Sequence, residues 1–121
     1  MGYVRSGHKD HGRQNQIEGK MEPGTKVVVI EDLISTGGSV LEVVDVLRQA
    51  GAQVLGIASI FTYGLQKGVE RLAAADVVNY SLSDFDTLSK VAAAEGYIAD
   101  KDIAKLTAFQ KNPQNPAWMK L

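Results

Sequence analysis

Apolar and polar positions follow different rules in different parts of the chain. From Arg5 to Lys20 the segment RSGHKDHGRQNQIEGK is polar, holds both histidines and three glycines, and has no helical periodicity. It predicts a mobile loop over residues 5–20, flanked by short strands at Tyr3–Val4 and Gln16–Glu18. Beyond the Pro23-Gly24 turn signal, Val27, Val28, Val29 and Ile30 run without alternation. An unbroken β-branched run of this kind predicts a parallel strand, Lys26–Ile30, buried on both faces. It ends abruptly at Glu31-Asp32.

A glycine-containing turn, LISTGG, leads into a helix in which Val40, Val43, Val44 and Leu47 share one face. Ser39 and Glu42 have capping-box spacing, and Gly51 stops the helix. Val54–Phe61 predicts a second buried strand, Leu65–Ala75 a second helix and Asp76–Tyr80 a third, short strand. Helices over Asp84–Glu95 and Asp100–Lys111 follow, the last ended by Pro113. The order β-α-β-α-β-α-α predicts an α/β fold with an open parallel sheet and flanking helices. No repeat or linker divides the chain, so residues 1–121 are expected to form one domain.

Composition narrows the classes without choosing one. A net charge of −1 argues against a general nucleic-acid or membrane surface, which would need a basic excess. The absence of cysteine excludes disulfides and thiolate metal sites. No apolar run approaches the roughly 18 residues of a membrane span, and the N-terminus lacks a signal-peptide pattern. A cytoplasmic location is the expectation.

The chemistry concentrates where the first buried strand ends. In open α/β sheets ligands bind beyond the carboxyl ends of the strands, and VVVIEDLISTGGS, residues 27–39, spans such an end. Ser35, Thr36 and Ser39 offer hydroxyls, while Gly37-Gly38 lets backbone N–H groups approach a ligand. A helix N-terminus beside them favours a phosphate monoester. Glu31 and Asp32 would repel that phosphate if aimed at it, and make sense facing vicinal hydroxyls or a Mg²⁺ shell. The combined demand is for a sugar phosphate with free hydroxyls. A Walker A loop is excluded because no GK[ST] is present, and a dinucleotide fingerprint because no GxGxxG follows the strand.

Four hydrophobic residues, two acidic residues, Leu33-Ile34 and then STGGS closely resemble the phosphoribosyl-pyrophosphate (PRPP) motif of type I phosphoribosyltransferases. Upstream, Arg5, His8, Lys9, His11 and Arg13 lie within nine residues, a cationic cluster suited to covering a polyanion. The stretch YVRSGHKDHGRQNQIEG resembles the catalytic loop of the orotate phosphoribosyltransferase family specifically. Purine-type relatives share the PRPP loop but not KDHG.

The resemblance implies transfer of ribose 5-phosphate from PRPP to orotate, giving orotidine 5′-monophosphate and pyrophosphate in pyrimidine biosynthesis. It implies that Arg5, Lys9 and His11 contact PRPP and its pyrophosphate, with Mg²⁺ as cofactor. Glu31 and Asp32 would orient the ribose, Ser35–Ser39 would hold the 5′-phosphate, and Ser35 would also contact the orotate base. It further implies a homodimer in which Lys9 works in the neighbouring subunit's site. No residue is assigned as a direct metal ligand. Ser6 stands where many members have a second lysine, and FTYGL, with Tyr63, stands where some have a base-contacting arginine. Strand-end packing is the expected role of Phe61 and Tyr63.

The match covers only the later part of the family pattern, so the N-terminal hood and the opening strands are expected to be missing. An exposed edge on a partial sheet predicts self-association, or its burial by the Arg5–Lys20 region. Another type I phosphoribosyltransferase, or a truncated, non-catalytic PRPP-binding module, stays open beside the enzyme. The tail with Pro113, Pro116 and Trp118 has no assigned role.

Overall fold

A computed structural model describes residues 1–5 and 17–120. Lys9 and His11, with most of the predicted 5–20 loop and with Gln16 of its second strand, lie outside the described residues. The two ends of that loop are held side by side. Strands β1 (Tyr3–Val4) and β2 (Ile17–Glu18) pair antiparallel, Tyr3 against Glu18 and Val4 against Ile17.

The main sheet is parallel, in the order β3-β4-β5, with strands at Lys26–Ile34, Gln53–Thr62 and Asn79–Asp84. The hairpin forms a sheet of its own, so it does not pair with the edge of β3. Its Val4 and Ile17 nevertheless pack against the main core. Helix α1 (Gly38–Gln49) connects β3 to β4, and α2 (Gln66–Ala74) connects β4 to β5. Right-handed crossovers running in one direction across a sheet put both helices on the same face. On that face Val29 lies across from Ile57, and α1 presses Val40, Val44 and Leu47 onto them.

Among the described residues nothing covers the opposite face. Ile30, Tyr80 and Leu82 are 74%, 73% and 87% exposed, and Val28 and Ile60 are exposed with them. Ile30 and Tyr80 flank Ala58 in register, and strand alternation carries Ile60 and Leu82 to the same side. The unbroken run Val27–Ile30 is therefore buried on one face among the described residues, not on two. The β-branched pattern reports a hydrophobic strand, and cannot say which layers are present to cover it.

Three further expectations need correction. The first strand continues through Glu31 and Asp32 to Ile34, because its register with β4 holds as far as Ile34 beside Thr62. The third strand lies at Asn79–Asp84, not Asp76–Tyr80. There Ser59 Oγ donates to Asn79 Oδ1 at 2.9 Å and Asn79 Nδ2 donates to Ser81 Oγ at 2.8 Å, a polar seam between β4 and β5. Finally, Ser39 does not cap α1: the N-cap is Gly37, whose φ of 83° is left-handed, and no side chain caps this end.

Helices α3 (Phe85–Ala94) and α4 (Asp102–Lys111) and a terminal 3-10 turn (Pro116–Lys120) complete the chain. Asp84 caps α3 by accepting from the Thr87 N–H at 2.7 Å. An aromatic ladder runs Phe61–Tyr63–Phe85–Phe109–Trp118, with ring centroids 5.3, 5.6, 6.0 and 5.2 Å apart in turn. Gln110 Nε2 donates to the Tyr63 carbonyl at 3.0 Å. Phe61 and Tyr63 pack at the strand end as expected, and the tail is docked there with them.

Candidate active site

The site is built where β3 runs out. Glu31 pairs in register with Ser59, Leu33 with Phe61 and Ile34 with Thr62, so these motif residues belong to strand and not to loop. Ile34 is buried and its carbonyl accepts from the Tyr63 N–H at 3.0 Å, tying the ends of β3 and β4 together. The loop proper is Ser35, Thr36 and Gly37, after which Gly38 and Ser39 open α1. Ser35 and Ser39 are exposed, Thr36 and Gly38 half-buried and Gly37 buried. The first N–H groups of a helix have no partner within it. With no side chain capping α1, this end suits an anion.

The carboxylates of the motif behave as a pair. The Asp32 N–H donates to Glu31 Oε1 at 3.0 Å, and the Leu33 N–H donates to Asp32 Oδ1 at 2.8 Å. Glu31 is held above the ordinary carboxylate value, first by partial burial and then by the hydrogen bond its side chain shares with Asp32. Asp32 is held below it, first by that same hydrogen bond and then by the Leu33 N–H. Within the pair, Asp32 is biased toward the ionised form and Glu31 toward the protonated one.

A carboxylate pair that accepts from vicinal hydroxyls does so best with both members ionised, which for this pair requires deprotonation of Glu31. Affinity for ribose 5-phosphate is expected to rise with pH in two parts, one from the ligand's own phosphate, whose second ionisation lies at about 6, and one from Glu31. Glu31→Gln is expected to remove only the second part. Calorimetric titrations between about pH 4 and pH 7 check this. A rise of equal size in the Gln variant would sink the assignment.

Arg5 sits at the foot of the hairpin, its guanidinium paired with the Glu18 carboxylate. That places one predicted cation at the base from which the loop springs. No group of three or more His, Cys, Asp or Glu that could hold a metal is found among the described residues. Two adjacent carboxylates suit an Mg²⁺ that arrives on phosphate oxygens, since this ion keeps to one or two carboxylates plus substrate.

Two residues of the site escaped the sequence reading. Gly68, in the first turn of α2, lies against the loop, where a Cβ would come within 2.7 Å of the Ser35 carbonyl oxygen. Arg71, one turn on, donates from Nη1 to the Thr36 carbonyl at 3.4 Å. A glycine in the first turn of a helix was the available signal for the first. The second had none.

A concavity of about 380 Å³ also lies between α1 and α2, lined by Gly38, Leu41, Asp45, Arg48 and Ala75. It belongs to the helical layer and not to the strand ends. Arg48 spans it to donate to the Ala75 and Asp76 carbonyls, which is a helix-end brace. No helix among the described residues is long and apolar enough to cross a membrane.

Residues 4–91 match the family model described as Phosphoribosyl transferase domain. An orotate phosphoribosyltransferase of Bacillus cereus (strain B4264) is 59% identical over 119 residues, which are 98% of this chain and 57% of that protein. The chain therefore spans little more than half the length of this curated relative. Among solved structures, orotate phosphoribosyltransferase from Aeropyrum pernix aligns with a TM-score of 0.65 and 32% identity, over 81% of this chain and 52% of that one. The Mycobacterium tuberculosis orotate phosphoribosyltransferase in complex with PRPP aligns with a TM-score of 0.57 and 26% identity, over 69% and 46%.

Proposed function

The chain belongs to the phosphoribosyl transferase domain family, and from that premise we propose that it carries the PRPP site and catalytic loop of an orotate phosphoribosyltransferase. One arrangement supports this most: β3 delivers Glu31-Asp32 and then STGGS to the uncapped N-terminus of α1, at the carboxyl ends of the parallel strands.

In the proposed reaction a ring nitrogen of orotate attacks the anomeric carbon of PRPP. The new C–N bond forms as the C–O bond to pyrophosphate breaks, pyrophosphate leaves with the electron pair, and the ring nitrogen gives up its proton to solvent. Ser35–Ser39 hold the 5′-phosphate through hydroxyls and backbone N–H groups. Glu31 and Asp32 fix the ribose through its hydroxyls, which limits the sugar to reactive orientations. Leu33 and Ile34 seat this end of β3 against β4. Ser35, exposed beside the strand end, is the residue for the base. Lys9, Arg5 and His11 face the departing pyrophosphate, Arg5 exchanging Glu18 for it. When bound with PRPP, Mg²⁺ neutralises charge on the pyrophosphate. Positioning and electrostatics, more than a strong base, carry the catalysis.

The proposal includes a homodimer in which Lys9 enters the neighbouring site, a cytoplasmic location, and a single domain with its loop at 5–20 and its PRPP motif at 27–39. Titration of the chain with PRPP and Mg²⁺ tests it. Saturable binding is expected, weakened about tenfold or more in Asp32→Asn, in line with loss of a charge-assisted hydrogen bond. Equal affinity in the two proteins would remove the acidic pair from the site.

A further inference from the structure

None of the residues given a role in the proposed reaction lies on α2, yet α2 forms the rear wall of the loop. Gly68 is buried, and a Cβ there would stand 2.7 Å from the Ser35 carbonyl oxygen and 3.4 Å from the Thr36 carbonyl carbon. Real Cβ atoms do not approach backbone that closely, so only glycine lets this helix rest directly on the loop. From the other side, left-handed Gly37 faces Gly68, with its own Cβ position 3.8 Å from the Gly68 Cα. Backbone meets backbone here.

Residues three apart on a helix share a face, so the contact at Gly68 carries Arg71 to the same loop. Arg71 is half-buried, and its Nη1 lies 3.4 Å from the Thr36 carbonyl oxygen and 3.4 Å from the Cβ position of Gly38. A guanidinium has five N–H donors in a rigid fork. The Thr36 carbonyl engages one nitrogen at the rim of the anion-binding turn. The motif itself brings two carboxylates and no cation, so a side-chain cation for a phosphate held at the α1 N-terminus has to come from another element.

We propose that Arg71 is a phosphate-binding residue, its guanidinium bridging the Thr36 carbonyl and the sugar 5′-phosphate, with Gly68 as the positioning residue that sets the distance. The inference rests on the PRPP reading of residues 35–39. It assigns the phosphate subsite a side-chain cation in addition to the helix N-terminus.

Ribose 5-phosphate is the probe, titrated calorimetrically into the wild-type chain, Arg71→Met, Arg71→Lys and Gly68→Ala, with melting temperatures of the unligated proteins alongside. Methionine keeps an apolar stem without the charge. Arg71→Met is expected to bind about tenfold or more weakly, and Arg71→Lys to recover part of that loss, because an ammonium keeps the charge but not the fork that bridges carbonyl and phosphate. Arg71→Met should also lose part of the salt dependence that a charge contact confers. Gly68→Ala should weaken binding by about tenfold with every charge in place, because the loop must shift by several tenths of an ångström.

Wild-type affinity in Arg71→Met overturns the assignment. So does equal weakening in the Met and Lys variants, which would leave Arg71 only a brace on Thr36. Wild-type affinity in Gly68→Ala overturns the positioning role. A wild-type chain that does not bind ribose 5-phosphate overturns the loop reading itself, a result distinct from the other three.

Discussion

Lys9→Ala is expected to lower orotate-dependent release of pyrophosphate by about 100- to 1,000-fold, the usual cost of removing one donor that acts on transition-state charge. Affinity for PRPP with Mg²⁺ should change by no more than about threefold, because the 5′-phosphate and ribose contacts supply ground-state binding without it. This split separates a residue working on leaving-group charge from one that merely holds substrate. The proposed action across a dimer gives a second readout. Lys9→Ala supplies an intact acidic pair, and Asp32→Asn supplies an intact lysine. Mixed and re-equilibrated, half the dimers would be hybrids, each with one complete site of two, so about a quarter of wild-type activity should return. No recovery on mixing would place Lys9 in its own subunit's site, and full turnover by Lys9→Ala alone would remove its role.

Ile57→Ala is the substitution expected to damage the fold most. Ile57 is 1% exposed in the central strand, across from Val29, and belongs to the cluster that α1 covers with Val40 and Val44. Its truncation should cost about 2–5 kcal/mol, a large share of the roughly 5–15 kcal/mol typical of a domain. Leu82→Ala, on the bare face, should cost no more than about 0.5 kcal/mol. Urea unfolding of the two variants compares them directly, a fall in midpoint at constant slope being loss of stability. Similar losses for both would mean that the second face is covered in solution.

The order of strands and helices was legible because each strand of this sheet but the last is an apolar run, and the first helix shows a clear apolar face. The last strand, NYSLSD, starts three residues and ends four residues beyond the expected Asp76–Tyr80. Its inward positions are Asn79 and Ser81, which pair with Ser59, and cross-strand polar pairing leaves no apolar signature. Glu31 and Asp32 looked like a strand end for a related reason: charge usually marks the limit of a buried strand. Here the strand continues through both carboxylates in register with β4, at the end where the proposed site lies. Ser39 looked like a helix cap from spacing alone, but the left-handed turn at Gly37 starts the helix earlier. The motif residues from Glu31 to Ser39 are brought to one strand end as the sequence implied. Gly68 and Arg71 were missed because a contact between a loop and a helix some thirty residues later has no local pattern.

The ladder that begins at Phe61 and Tyr63 ends on the chain's single tryptophan. Tyr63 hangs on the Ile34 carbonyl, one residue before Ser35, and its own carbonyl is gripped by Gln110 of α4. The protein consequently contains an intrinsic optical probe. Indole emission from half-buried Trp118 answers to the stacking around it, so an event at the strand ends that shifts Tyr63 is carried through Phe85 and Phe109 to a single emitter.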